Sequence, residues 1–329
     1  MTGPDHPAPP FLRVLLLGGT GTIGRATARA LCAAGHEVTA LVRPGSEARG
    51  LEGCRIVTGL AGAPGDLARA LAAGDGPVSA VVSCLASRTG APEEARAVDR
   101  DANAAALRAA VAAGVGRFVL LSAICVQKPA LAFQGAKLEF EAELRTAPLD
   151  WVIVRPTAFF KSLSGQVARV REGRSFLVFG DGRGTACKPI SDADLARFLV
   201  QCLEDPSLWR KVLPVGGPGP AITPRDQAAM LERLLGRPVP VRQVPVRLMD
   251  GIVGLLSMLG RVSPRMAAKA ELARIGRYYA TESMLVWDRA AGRYDDGATP
   301  EFGADRLEAH YAALLRGEVG DDRGAHAVF

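Results

Sequence analysis

The run GGTGTIG at residues 18–24 constrains this chain more than any other stretch. It follows the apolar run LRVLLLGG (12–19) and opens a segment with helical spacing across 22–34. Gly18, Gly21 and Gly24 fall in G-x-x-G-x-x-G spacing, so the backbone can turn tightly and approach a pyrophosphate with no Cβ in between. The helix that starts there points its unpaired N–H groups at the same anion. Strand, glycine turn and helix in this order predict the first unit of a dinucleotide-binding sheet. Gly18, Thr20, Gly21, Thr22, Ile23 and Gly24 are the candidate phosphate contacts.

The rhythm then repeats. Apolar runs at 37–43, 54–59, 78–86, 117–126 and 149–156 alternate with longer amphipathic segments. Near-continuous apolar strands are buried on both faces, as in a parallel sheet covered by helices. Right-handed crossovers make this an α/β, Rossmann-like doubly wound parallel sheet. After Pro156 the pattern changes. Strands are predicted at 175–182 and 211–217, the second returning to the sheet, and a helix at 191–203 capped by Ser191 or Asp192. Helices at 224–236, 245–260, 264–276 and 303–316 predict a smaller, mainly helical C-terminal lobe on the substrate side. The expected division is a flexible leader over 1–11, a cofactor domain over 12–217, the lobe over 218–316 and a tail over 317–329.

Composition narrows the function. The formal charge of +6 is spread along the chain with no basic block interleaved with aromatics, which argues against nucleic acid and suits an anionic cofactor. Six cysteines without a C-x-x-C pair read as reduced thiols, and four scattered histidines exclude a His-rich metal site; no metal is expected. The N-terminus lacks the basic and apolar regions of a signal peptide. GIVGLLSMLG (251–260) falls short of the ~20 residues a spanning helix needs. These features, with a GC-rich coding bias, predict a soluble, cytoplasmic bacterial protein with peripheral membrane contact at most.

Two segments carry the chemistry. The second strand ends in Arg43, where NAD-preferring proteins place an acid for the ribose hydroxyls. A guanidinium there binds a 2′-phosphate instead, and Arg25 can assist, so the expected cofactor is NADPH. Ser83, Cys84 and Leu85, ending the fourth strand, and Pro156, ending the sixth, are expected beneath it. The second segment is LLSAICVQKPALAFQGAKLEFE (120–141). It has the serine (Ser122) and lysine (Lys137) of a short-chain dehydrogenase, but the tyrosine expected four residues before the lysine is Phe133.

The runs LSAICVQKP, RPTAFFKSL and RIGRYYATESMLVWD together resemble the NADPH-dependent divinyl chlorophyllide 8-vinyl reductases, atypical short-chain dehydrogenases of chlorophyll and bacteriochlorophyll synthesis. The resemblance runs from about residue 12 to about 310. It implies reduction of the 8-vinyl group of a Mg-tetrapyrrole, divinyl chlorophyllide or protochlorophyllide, to ethyl. Many relatives carry an acid after the third strand for adenine, where this chain has Gly59-Leu60; Asp66 is a candidate replacement.

That reaction makes the missing phenol intelligible. A carbonyl reductase must protonate an alkoxide, whereas a vinyl group has no oxygen, and charge left by hydride addition spreads into the macrocycle. Lys137 either holds the nicotinamide ribose or lowers the pKa of a proton source. Ser122 either positions the nicotinamide or is structural. Tyr278, Tyr279, Lys128 and water are candidate proton donors, Tyr279 the preferred one. Phe133, Phe159, Phe160, Lys161 and Tyr278 are candidate substrate contacts, with Lys161 or Lys188 facing a propionate and the Met- and Leu-rich segment 248–259 as a facing wall. Trp287 is either pocket or core. Two other readings are a nonenzymatic NADP sensor and a tetrapyrrole-binding assembly factor. Sugar-nucleotide epimerases fit poorly, because they rely on the Tyr-x-x-x-Lys pair.

Overall fold

A computed structural model describes residues 11–319. The expected leader, apart from Phe11, and the expected tail, apart from 317–319, lie outside the described residues. Strands β1 (Arg13–Leu17), β2 (Glu37–Val42), β3 (Arg55–Thr58), β4 (Ala80–Ser83), β5 (Arg117–Leu121) and β6 (Asp150–Pro156) run parallel. The next strand, β7 (Phe176–Phe179), leaves the sheet, and β8 (Lys211–Val215) returns to pair with β6. The order β3-β2-β1-β4-β5-β6-β8 reverses direction between β1 and β4, the doubly wound pattern the sequence predicts.

Strand β1 explains why its apolar run is continuous. Val14 and Leu16 enter the core on one face, packed with Leu31, Leu195 and Leu199. Leu15 and Leu17 enter the other, packed with Leu67, Phe118 and Phe140. Alternate side chains point to opposite faces, so a strand covered on both sides is apolar at every position. Each such burial is worth about 1.5–3 kcal/mol. Helices α1 (Thr22–Ala33), α2 (Pro64–Leu71), α3 (Pro92–Ala95), α4 (Asn103–Ala112) and α5 (Ala132–Arg145) connect the first six strands. Between α3 and α4 the chain widens into a π-helical turn, Arg96–Ala102. Such turns recur at functional sites.

The predicted strand at 117–126 is too long. β5 ends at Leu121, and Ile124–Gln127 forms a short 3₁₀ turn. Residues 124 and 125 are apolar because they pack under the lobe with Leu131, Ile275 and Tyr278, not because they extend the strand.

The lobe is built from two parts of the chain. Helices α6 (Phe160–Leu163) and α7 (Val167–Arg171) and strand β7 precede α8 (Asp192–Glu204), which covers the sheet. Ser191 caps α8 by accepting from the Asp194 N–H at 3.0 Å. After β8 come α9 (Pro224–Leu235) and β9 (Val241–Val244), which pairs with β7. Phe160, Val167 and Phe176 share one core with Leu231 and with Tyr311 of the last helix. Residues 160–179, before the expected boundary at 217, therefore pack with residues that follow it.

Helices α10 (Val246–Gly260) and α11 (Pro264–Thr281), the hairpin β10 (Val286–Asp288) and β11 (Arg293–Asp295), and α12 (Leu307–Arg316) complete the fold. α10 packs against α11 and has no buried residue; Leu248, Ile252, Leu255 and Met258 are all exposed. The segment 248–259, expected as a facing pocket wall, therefore presents an open apolar face.

A Cβ on Gly24 would lie 2.1 Å from the Gly18 carbonyl oxygen. Gly24→Ala must push the turn off the sheet, and thermal unfolding should register a loss of about 1–3 kcal/mol.

Candidate active site

The carboxyl ends of β1, β4, β5 and β6 open on one side, where a doubly wound sheet takes its ligand. The glycine turn forms the floor. Gly18 has φ +73°, which an L side chain resists, and a Cβ on it would lie 2.6 Å from the main chain of Cys84. Cys84 itself packs into the core beside Thr27, 3.8 Å away, and burial pushes its thiol up to about 12. Helix α1 begins without a side-chain cap, leaving its first N–H groups to an anion. Lys161 donates to Thr22 Oγ1 at 2.7 Å and adds a cation at that helix terminus.

Beside the turn is a polar cavity of about 540 Å³, lined by Thr20, Arg25, Arg43, Ser46, Leu60 and Arg88 among others. Three guanidiniums round one cavity suit a dianionic phosphate. Arg25 is anchored by donating to the Thr20 carbonyl at 2.9 Å. Arg88 sits in a loop whose N–H groups at 88 and 89 donate to Glu94 at 3.0 and 2.9 Å. Sequence reasoning missed Arg88. It lies just past the fourth strand, inside the run VVSCLASRTG, so the rule that ligands gather at strand ends could have found it. Asp66, the candidate for the acid missing at Gly59-Leu60, accepts from the Leu60 N–H at 2.8 Å. That bond, then Arg69, holds its carboxyl below the ordinary range.

The reacting end is built around Lys137. Its ammonium lies 2.9 Å from Asp99 Oδ1, and both side chains are buried. Asp99 sits on the π-helical turn and also accepts from the Ser87 N–H at 3.3 Å. Asn103, at the start of α4, donates to the carbonyls of Val98 and Asp99 at 3.1 and 3.2 Å, bracing the turn. Asp99 was also missed by sequence reasoning; inside a helical run its charge has no distinguishing spacing. One turn before Lys137 on α5, Phe133 lies against Gly90 and Ile275 of α11. From α11, Tyr279 reaches its hydroxyl to Cys125 Sγ at 3.9 Å. The ring is 37% exposed, but burial of the hydroxyl end, then Cys125, raises its pKa well above 10.0.

Several expected contacts lie elsewhere. Ser122 donates to Glu141 at 2.6 Å, and Glu141 pairs with Arg155, so this hydroxyl serves a buried charge network and Ser122 is structural. Ser83 is fully buried and donates to Asn103 at 2.5 Å, while Leu85 packs into the sheet core. The Tyr278 hydroxyl is committed to the carbonyls of Cys125 and Lys128 at 2.9 and 3.0 Å, so it ties α11 to the loop after β5. Phe160 lies in the lobe core and Phe159 packs toward the sheet core. Lys161 sits at the glycine turn, bonded to Thr22. Lys188 is buried between Asp296 and Glu301 at 3.0 and 2.8 Å and faces no propionate. Pro156 is buried in the sheet opposite Val215. No cluster able to hold a metal occurs among the described residues.

Residues 18–206 match the NAD(P)H-binding family. The chain is 45% identical to the chloroplastic divinyl chlorophyllide a 8-vinyl-reductase of Oryza sativa subsp. indica, over 98% of this chain and 83% of that protein. It is 30% identical to the photosystem II assembly factor Ycf39 of a Synechocystis strain, over 80% of each. Among solved structures, an NADPH-dependent quinone oxidoreductase from Escherichia coli complexed with NADPH covers 92% of this chain and 99% of its own, with TM-score 0.67 and 18% identity, which establishes the shared fold. The bacterial cytoplasmic location expected from composition is overturned, since the reductases matched over nearly the whole chain are chloroplastic plant enzymes. Among the described residues no helix is long and apolar enough to cross a membrane.

Replacing Arg43 or Arg88 with glutamate removes a cation from the three-arginine cavity and adds repulsion. NADPH affinity should fall about 10- to 100-fold, while NADH, which lacks the 2′-phosphate, should change by less than about threefold. Fluorescence titration with the two nucleotides measures both.

Proposed function

The chain belongs to the divinyl chlorophyllide a 8-vinyl-reductase family, and from that membership we propose how its residues reduce an 8-vinyl group to ethyl. It is an NADPH-dependent oxidoreductase of chlorophyll synthesis. The observation that carries the assignment is Phe133: an apolar ring, packed on Ile275, one helical turn from a lysine already paired with Asp99. Such a site offers no phenol to a carbonyl oxygen. It fits an acceptor bond that has none.

The residues fit the cofactor. Gly18 and Gly24 leave space that a Cβ would fill, and three arginines surround a phosphate-sized cavity. Arg25, Arg43 and Arg88 hold the 2′-phosphate, while the start of α1 and Lys161 hold the pyrophosphate. Asp99 fixes Lys137 for the ribose hydroxyls of the nicotinamide half. NADPH, when bound, supplies hydride to the terminal vinyl carbon. Phe133 and Ile275 wall the reacting end and exclude water. Cofactor binding falls to the sheet and its helices, and the tetrapyrrole to the cleft between them and the lobe, which includes residues 160–179.

Charge left on the adjacent carbon is conjugated with the macrocycle and needs a proton at carbon. Tyr279 is the donor. Its raised pKa keeps the hydroxyl protonated, whereas the other tyrosine, Tyr278, is spent on two carbonyls. The 30% identity to a photosystem II assembly factor supports a second reading, in which the chain carries a tetrapyrrole without reducing it.

Incubating the protein with NADPH and divinyl chlorophyllide a separates the two. Monovinyl product supports the reductase; binding without product supports the carrier. In the active protein, Tyr279→Phe should lower kcat about 100-fold or more. Because the tyrosine pKa is raised, loss of its proton should cause no fall in kcat as pH rises from neutrality towards 10.0. A full rate in Tyr279→Phe would instead make bulk water the donor.

A further inference from the structure

The reaction described above leaves one group on the substrate without a partner. A chlorophyllide is a flat apolar disc with a free propionate, and the lysines first expected to meet that carboxylate are engaged elsewhere. Lys161 is bonded to Thr22 at the glycine turn and Lys188 is buried between two acids, while Lys137, expected at the ribose or a proton source, faces Asp99. Lys128 is differently placed. It follows the carboxyl end of β5 on the ligand side of the sheet, and its side chain is 34% exposed.

Its surroundings are organised for a charged edge on a flat ligand. The Lys128 ammonium lies 4.3 Å from the Trp287 ring centre and 5.3 Å from that of Tyr294. These two rings meet edge to face at 4.8 Å on the β10–β11 hairpin. Glu282 Oε2 receives the Lys128 ammonium at 2.6 Å and the Tyr294 hydroxyl at 2.5 Å. One bond to Glu282 uses one of three ammonium donors, and no other side-chain or main-chain acceptor among the described residues bonds the remaining two.

The seat is held rigidly from both sides. The Gln127 amide donates to the Leu285 carbonyl at 2.5 Å and accepts from the Trp287 N–H at 2.8 Å, fastening the loop to the hairpin. The Tyr278 hydroxyl donates to the Lys128 carbonyl at 3.0 Å and fastens the same loop to α11. An exposed lysine on a loose loop would lose side-chain entropy on binding; this one is already ordered.

We infer that Lys128, oriented by Glu282 and backed by Trp287 and Tyr294, is the subsite for the carboxylate of the tetrapyrrole substrate. It selects free acids over esters and takes no part in the chemical step. This rests on the reductase reading, and the test keeps the two apart. Steady-state kinetics with divinyl chlorophyllide a and with its methyl ester should give the wild-type chain a preference for the acid. Lys128→Gln should raise KM for the acid about 10- to 100-fold with kcat little changed, and should erase the preference over the ester. Lys128→Arg should retain it. Should Lys128→Gln not fold, raising ionic strength with the unaltered protein should weaken binding of the acid and leave the ester unaffected. An acid-over-ester preference that survives in folded Lys128→Gln, or binding equally insensitive to salt for both compounds, overturns the subsite. Absence of turnover with either compound overturns the reductase reading alone. Quenching of protein fluorescence by the two ligands then still decides the subsite by the same comparison.

Discussion

One buried ion pair organises the reacting half of this protein. Lys137 and Asp99 come from separate helical segments and face each other out of water. Removing either partner would strand a buried charge at a cost of about 3–5 kcal/mol. The pair therefore fixes the π-helical turn against α5, and through the Ser87 N–H it fixes the loop after β4. That loop continues to Arg88 in the phosphate cavity and to Gly90, on which Phe133 rests. A buried charge pair on the π-helical turn thus sets the position of an arginine in the three-arginine cavity. The two halves of the cofactor site share one scaffold.

A second network stands beside it and does different work. Glu141 accepts from Ser122 and pairs with Arg155, joining α5 to the ends of β5 and β6. With α5 held at Glu141 to the sheet and at Lys137 to the π-helical turn, its first turn cannot rotate. This is why Phe133 presents a fixed apolar face, and why the serine inherited at the end of β5 is a brace here. With no oxygen on the substrate bond to polarise, that hydroxyl is free to serve the fold.

The sheet was legible in the sequence because burial on both faces leaves a continuous apolar run, and the glycine turn because close backbone approach tolerates no Cβ. Arg43 was legible from its place at a strand end. Partnerships across long sequence distances were not. Nothing local marks Asp99 as the partner of Lys137, or turns Lys161 towards Thr22, 139 residues away. The same limit bears on the other candidate contacts. Ser122, Tyr278, Phe160 and Lys188 are residue types that binding sites use, yet each is committed to an internal partner or core that only folding reveals. The apolar turn after β5 passed for strand because periodicity cannot separate a run buried under a lobe from one buried in a sheet.

The substitution at 133 then acquires a physical meaning. A phenol there would place a polar hydroxyl in a box lined by Ile124, Leu131 and Ile275, with Lys137 already engaged by Asp99. It would be desolvated without serving a substrate oxygen, at a cost of about 1–3 kcal/mol. Phenylalanine avoids that cost and keeps the wall apolar beside a vinyl group. In the proposed reaction the proton comes from Tyr279, on α11 beside Cys125. The proposed acid and the hydride then come from different elements, α11 and the sheet.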